Sequence, residues 1–296
     1  MASRKLLVVG ATGQQGGALI EALLANESSF DIYGLTRNKA SPSATKLSGR
    51  GVHMIEGDVS APLPIFKQLG KDVYGVFSVT TLSKDEEGEA KPLIDAAIAN
   101  NVQHFVYTSA DRGGPAKSDE DPTVVPHFIT KFNVEKHLIA KAAKSPQRMM
   151  WTILRPVSFM DNFTTNFLGK VMGRIMSNNG AVPIQLISTK DIGRVAARAL
   201  EEPERHNGRA ITLAGDRLNF AEVNKIFKEE VGHGAPIAPS ILITVALFFQ
   251  DDLKKMTQWV QDGGYAGDTG YIRKETPGLM DFRTWLRTES KWPTRA

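Results

Sequence analysis

The 296 residues carry 42% hydrophobic and 23% charged side chains, the composition of a soluble globular chain with material for one α/β unit plus a smaller lobe. None is cysteine, which excludes disulfides, thiolate metal sites and a cysteine nucleophile and agrees with a reducing compartment. The net charge of +4 comes from lysines and arginines scattered among acids, without the basic block that a nucleic-acid surface needs.

Met1-Ala2-Ser3-Arg4-Lys5 runs directly into a strand-like apolar run, with no apolar leader and cleavage site, so the expected setting is cytoplasmic or nuclear. The longest apolar run, residues 241–249, is too short to span a bilayer. From the start to Pro156, short β-branched runs alternate with helical spacing. Strands are expected at residues 6–9, 31–36, 52–56, 75–78, 104–108 and 151–154. Between them, residues 15–25 and 90–100 place apolar side chains at three- and four-residue intervals, as a helix on a core does. This alternation predicts an α/β fold with a doubly wound parallel sheet, a Rossmann domain over residues 1–156.

Past Pro156 the pattern loosens. A strand is expected near Leu186, a helix over 191–201, a strand over 211–213 and a helix over 220–231. Helical segments then run over 241–260 and 281–289, with Gly263-Gly264 and Pro277-Gly278 as loop punctuation. Residues 157–296 are therefore expected to form a smaller mixed α/β, mostly helical C-terminal lobe, some of whose elements return to the first domain. There is no internal repeat and no low-complexity tract.

The first strand leads into Gly10-Ala11-Thr12-Gly13-Gln14-Gln15-Gly16, glycines in GxxGxxG spacing ahead of an amphipathic helix. Gly10 allows a tight turn, Gly13 lets a pyrophosphate approach the backbone, and Gly16 permits close helix-to-strand packing. The amides at the helix start, Gln14 and Gln15 among them, together with the helix dipole then receive the anion. A glycine-rich turn without ligand is the alternative; the strand–turn–helix context favours a dinucleotide. About twenty residues on, where an NAD-specific site usually places an acid, stands Arg37-Asn38. A guanidinium there donates two hydrogen bonds to a ribose 2′-phosphate, with Thr12 and Lys39 in support, so the expected cofactor is NADP(H). The competing reading of Arg37 is a solvated surface arginine. Asp58-Val59, after the third strand, suits the adenine, although a turn aspartate would look the same. Ser78-Val79-Thr80 on the fourth strand are expected along the middle of the cofactor, with a plain core strand as the alternative.

With these residues in place, the chain resembles the NmrA-like family of the atypical short-chain dehydrogenase/reductase superfamily. The resemblance rests on the glycine segment, Leu35-Thr36-Arg37-Asn38, His127-Phe128-Ile129-Thr130-Lys131, the run from Leu154 to Phe163, and Asp191-Ile192-Gly193. It implies an NADP(H)-binding fold, and either a redox sensor that docks a regulatory protein or an NADPH-dependent oxidoreductase. Typical members of the wider superfamily use a serine, a tyrosine and a lysine, the last two four residues apart on one helix face. Here Lys131 matches the lysine and Ser109 the serine, but His127 stands where the tyrosine belongs. Tyr107 lies on the preceding strand and cannot take that role by spacing alone. His127 is a candidate proton donor, because imidazole titrates near neutrality; the alternative is that it packs the helix start while Lys131 clamps the ribose. Phe159, Met160, Asn162 and Phe163 are candidates to border a substrate beside the nicotinamide, although an apolar sheet-to-lobe junction would read identically.

The leading expectation is a redox sensor or regulator lacking the catalytic tyrosine. The alternative is a reductase of a small carbonyl, enone, quinone or imine. Expected partners are accordingly a regulatory protein or a small substrate, with a homodimer admissible and neither nucleic acid nor membrane involved. No metal is expected, since the histidines lack acidic neighbours at ligand spacing, and neither a GxSxG elbow nor a Walker lysine is present.

Overall fold

The computed structural model describes residues 4–80, 85–240 and 251–295. Its strands are β1 (Arg4–Val8), β2 (Phe30–Thr36), β3 (His53–Glu56), β4 (Val73–Val79), β5 (His104–Thr108), β6 (Met150–Pro156), β7 (Ser158–Phe159), β8 (Ile184–Ile187), β9 (Arg209–Leu213) and β10 (Asp216–Leu218). The helices are α1 (Gln14–Ala25), α2 (Pro42–Ser48), α3 (Pro62–Leu69), α4 (Glu86–Ala99), α5 (Pro115–Glu120), α6 (Pro126–Lys144) and α7 (Phe167–Asn178). They continue with α8 (Thr189–Glu201), α9 (Pro203–His206), α10 (Phe220–Glu230), α11 (Asp251–Gln261), α12 (Thr269–Glu275) and α13 (Phe282–Thr288). Of the helix expected over 241–260, residues 241–250 lie outside the described residues, and α11 is the described part.

One sheet has seven strands in the order β3-β2-β1-β4-β5-β6-β9, and the other has three in the order β10-β8-β7. In the large sheet β1 pairs in parallel with β2 and β4, β2 with β3, β4 with β5 and β5 with β6. This is the doubly wound order that the βαβ alternation predicts, with the reversal between β1 and β4. A sheet covered on both faces needs strands apolar on both faces, and β5 is buried at every residue from His104 to Thr108. In the small sheet β8 runs parallel to β7 and antiparallel to β10.

The chain forms two compact units. The first comprises residues 1–110, 130–155 and 190–211, the second residues 111–129, 156–189 and 212–296. In the first, Leu7, Val76, Phe105, Tyr107 and Ile153 of the sheet pack with Ile65 and Phe66 of α3, Leu93 and Ile94 of α4, and Val134 and Leu138 of α6. On the other face lie α1 and α8, which approach closely at Gly193, where a Cβ would overlap the backbone of Ala18 and Leu19. That contact accounts for the glycine of Asp191-Ile192-Gly193: a side chain there would hold the two helices apart. The second unit is built around Phe163, Phe227, Phe282, Trp285 and Trp292, with neighbouring ring centroids 5.1 Å (Phe163–Phe282), 5.3 Å (Phe227–Trp292) and 5.4 Å (Phe282–Trp285) apart. Each such ring buried adds roughly 2–3 kcal/mol of transfer free energy. No helix among the described residues is long and apolar enough to cross a membrane.

Candidate functional site

After β1 the backbone turns sharply at Gly10, whose φ is +71°, a region costly for any residue with a Cβ. A Cβ there would also stand 2.6 Å from Val79 Cγ1, and one at Gly16 would overlap the Gly10 carbonyl. Gly13 occupies the N-cap of α1 in extended conformation, with no side-chain cap, and the first helical turn holds no acid. Gly13 N–H donates to the Gly10 carbonyl at 2.9 Å, and the helix ladder starts with Gly17 N–H to the Gly13 carbonyl, also at 2.9 Å. The amides of Gln14, Gln15 and Gly16 consequently have no acceptor inside the helix. Other helices close this end with a side chain: Asp85 on α4, Asn219 on α10, Asp268 on α12 and Asp281 on α13. The start of α1 is left open to an anion. Thr12, Gly13 and Gln14 are exposed there, and Gln15 Oε1 is buried without a partner among the described residues.

Arg37 and Asn38 follow the end of β2 and are exposed. Asn38 Oδ1 accepts from Ala40 N–H at 2.9 Å, and its N–H donates to Thr36 Oγ1 at 3.2 Å, so the turn is held by its own side chains. Arg37 forms no ion pair among the described residues, which leaves its guanidinium for an external anion. Asp58 closes a turn, its Oδ1 accepting from Ser60 N–H at 2.9 Å and Ser60 Oγ at 2.8 Å. These bonds, the backbone one foremost, together with the charge of Arg37 hold its carboxyl below the usual range. The turn role that the sequence left open is therefore present, while Oδ2 takes no part in it; Val59 is half-buried beside it. On β4, Ser78 is fully buried with its Oγ unpartnered among the described residues, Val79 is half-buried, and Thr80 closes the row.

Lys131 lies on α6 and is 8% exposed. Its Nζ donates to Glu86 Oε1 at 2.5 Å and stands 5.9 Å from the centre of the Tyr107 ring. Glu86, 1% exposed at the first position of α4, also accepts from Thr80 Oγ1 on the same oxygen and from Thr130 Oγ1 on Oε2 at 2.8 Å. His127, one turn before Lys131 on α6, directs Nδ1 at both carboxylate oxygens of Asp252, at 2.8 and 2.7 Å, while its backbone N–H donates to the first at 3.1 Å. A carboxylate only accepts, so Nδ1 carries a proton. Burial works to raise the Asp252 carboxyl, but the hydrogen bonds and charge of His127 outweigh it and hold it low. Phe128 and Trp259, with ring centroids 5.1 Å apart, pack α6 on α11 beside this pair.

Ser109 sits just beyond β5, 3% exposed, its N–H donating to the Leu154 carbonyl at 2.7 Å. Phe159 and Asn162 are half-buried in the second unit. Met160 is fully buried, and Phe163 belongs to the aromatic core described above, its carbonyl accepting from Trp292 Nε1 at 2.7 Å. Glu86 and Asp252 had no place in the sequence reading. Asp85-Glu86-Glu87 reads as a solvated acidic helix start, and Asp252 is 125 residues from the histidine it holds.

The sequence profile of the NmrA-like family matches residues 2–279. The chain belongs to the NmrA-like family. An NmrA-like family domain-containing protein of Dictyostelium discoideum is 28% identical over 162 residues, so the match spans about half of each protein, 54% of this chain and 53% of that one. The NAD(P)H azoreductase of Xenophilus azovorans is 29% identical over 220 residues, 74% of this chain and 71% of its own. Among solved structures, NmrA, a negative transcriptional regulator, in complex with NADP shares the fold with a TM-score of 0.73 at 19% identity, covering 98% of this NmrA-like chain and 96% of that protein.

Proposed function

We propose that this NmrA-like chain binds NADP(H) at the amino end of α1 and communicates its redox state to a regulatory partner. The open start of α1 carries the reading: a positive-φ glycine, an N-cap without a side chain, and consecutive amides lacking internal acceptors form a cradle that an anion completes. A Cβ at Gly10 or Gly16 would clash with Val79 or with the Gly10 carbonyl and distort the cradle. In this reading Gly10, Thr12, Gly13, Gln14, Gln15 and Gly16 hold the pyrophosphate, and Arg37 with Asn38 takes the 2′-phosphate. Asp58 and Val59 meet the adenine, Ser78, Val79 and Thr80 line the middle, and Lys131 holds the nicotinamide ribose. NmrA in complex with NADP supports the choice of cofactor.

Regulation is favoured over turnover by the composition of α6. Its histidine replaces the expected tyrosine, and the charge of Lys131 is offset by a buried carboxylate in contact, which weakens the field available to stabilise an oxyanion. The partner is then a regulatory protein, and the chain is free to act as a homodimer. The test is a pair of measurements on purified protein: NADPH titration followed by fluorescence, and steady NADPH oxidation against a panel of quinones, enones, imines and small carbonyls. Saturable NADPH binding with no oxidation above background is expected. Absence of binding removes the cofactor assignment, and steady oxidation removes the sensor.

A second reading, an NADPH-dependent reductase of such a small molecule, is favoured by the His127–Asp252 pair. NADPH supplies a hydride, and His127, oriented by Asp252 through Nδ1, exchanges a proton with the substrate through Nε2. Ser109 orients the acceptor group. The azoreductase relative supports this reading. Loss of turnover in both His127→Ala and Lys131→Ala, with NADPH affinity retained in the former, would establish it.

A further inference from the structure

Glu86 is engaged through both carboxylate oxygens, and every group that reaches it belongs to the first unit. Three elements converge on it: Thr80 just beyond β4, Thr130 and Lys131 on α6, and its own helix α4. Next to it Glu87 Oε1 accepts from Asn133 Nδ2 at 2.7 Å, so the start of α4 is fastened to α6 by three hydrogen bonds. Only the Glu86 bond involves a cation, and that cation is the proposed ribose ligand. The Lys131 side chain is 10% exposed and that of Glu86 1%, so the two charges meet where little water screens them. Thr80 and Thr130 donate to the same carboxylate and help to hold it against Nζ. Glu86 also lies in the first turn of α4. Lys131 is thereby confined to one position, with two of its three protons left for other acceptors.

We propose that Glu86 is a positioning residue of the NADP(H) site: it fixes the Lys131 ammonium where the nicotinamide-side ribose hydroxyls accept from it. This rests on the NADP(H) reading above. Among the described residues, the charged and titratable groups that face Lys131 are Glu86 from α4 and Tyr107 from β5. Glu135, one turn further along α6, is occupied by Arg155 at 2.7 Å.

The test uses the full chain and two ligands, NADPH and adenosine 2′,5′-bisphosphate, which carries the 2′-phosphate half and lacks the nicotinamide ribose. Glu86→Gln preserves shape and removes the charge. It should weaken NADPH about tenfold, the loss expected when one charge-assisted bond loses its orientation, and leave the bisphosphate within twofold. Glu86→Asp should recover part of the loss. In a Lys131→Met background, Glu86→Gln should change NADPH affinity by less than twofold, because the residue through which it acts is gone. Equal weakening of both ligands by Glu86→Gln and Glu86→Asp would make Glu86 a general structural clamp and overturn the proposal. So would unchanged NADPH affinity in Glu86→Gln, or an undiminished effect in the Lys131→Met background. If the unaltered chain bound neither ligand, the cofactor reading itself would fall, an outcome distinct from any of these.

Discussion

Acidification should unfold this chain through one histidine. His104 on β5 is fully buried, and burial, with the charge of His206 adding to it, pushes the imidazole down from 6.5 to about 4. The Thr152 hydroxyl donates to the His206 carbonyl at 3.0 Å, so toward His104 Nε2, 2.9 Å away, it only accepts. The neutral ring therefore holds its proton on Nε2, and Nδ1 faces the interior without a partner among the described residues. A second proton would bury an uncompensated charge. Because the folded state binds that proton more weakly than the unfolded state, stability is complete above pH 6.5 and declines as the pH falls toward about 4. At about 1.4 kcal/mol per pH unit the loss reaches about 2 kcal/mol at pH 5 and about 3 kcal/mol at pH 4. Urea unfolding at pH 7.5 and pH 5, followed by far-ultraviolet circular dichroism, measures it. His104→Gln retains a donor for Thr152 and cannot titrate, so between the two pH values it should lose about 2 kcal/mol less than the parent chain. Carboxylate protonation contributes equally to both proteins and cancels in the comparison. Parallel losses would refute the assignment of this acid sensitivity to His104.

Arg37→Ala should weaken NADPH roughly ten- to hundredfold while leaving NADH within twofold, since only NADPH carries the phosphate that a guanidinium would grip; equal weakening of both in parallel titrations would remove the 2′-phosphate role. Gly10→Ala places a Cβ at φ +71° and against Val79 Cγ1, and should cost about 2 kcal/mol in urea unfolding together with NADPH affinity; a variant as stable as the parent would show that the turn relaxes freely. Under the reductase reading, Asp252→Asn should lower turnover on the order of a hundredfold with NADPH affinity unchanged, because His127 loses the negative charge that orients it and stabilises its protonated form; unaltered turnover would leave that histidine to packing.

What the sequence disclosed and what it withheld divide along one physical line. β1, β4 and β5 were legible because strands buried on both faces carry largely apolar runs, Leu6 to Val8, Val76-Phe77 and Phe105 to Tyr107 among them, a local property. The glycine turn was legible because its demands, a positive φ at Gly10 and close approach at Gly16, are also local. β9 was recognised as a strand, but its place at the edge of the seven-stranded sheet depends on pairing that no local pattern specifies. The short β7 and β10 carry too few residues to register a period.

The cations at the candidate site follow the same division. Arg37 was placed by its distance from the glycine turn and Lys131 by the family resemblance, yet they need different surroundings. Arg37 is exposed, and water screens its charge, so it can wait without a protein partner for a phosphate. Lys131 is buried and cannot wait; something must neutralise it, and a buried ammonium in a proposed ribose site therefore implies a buried carboxylate somewhere in the fold. That requirement could have been stated from the sequence once Lys131 was placed on the inner face of its helix. Which acid meets it could not, because Asp85, Glu86, Glu87 and Glu89 offer equivalent letters at the start of α4. Only the docking of α4 on α6 selects Glu86, and that selection turns an acidic helix start into the counter-charge of the lysine.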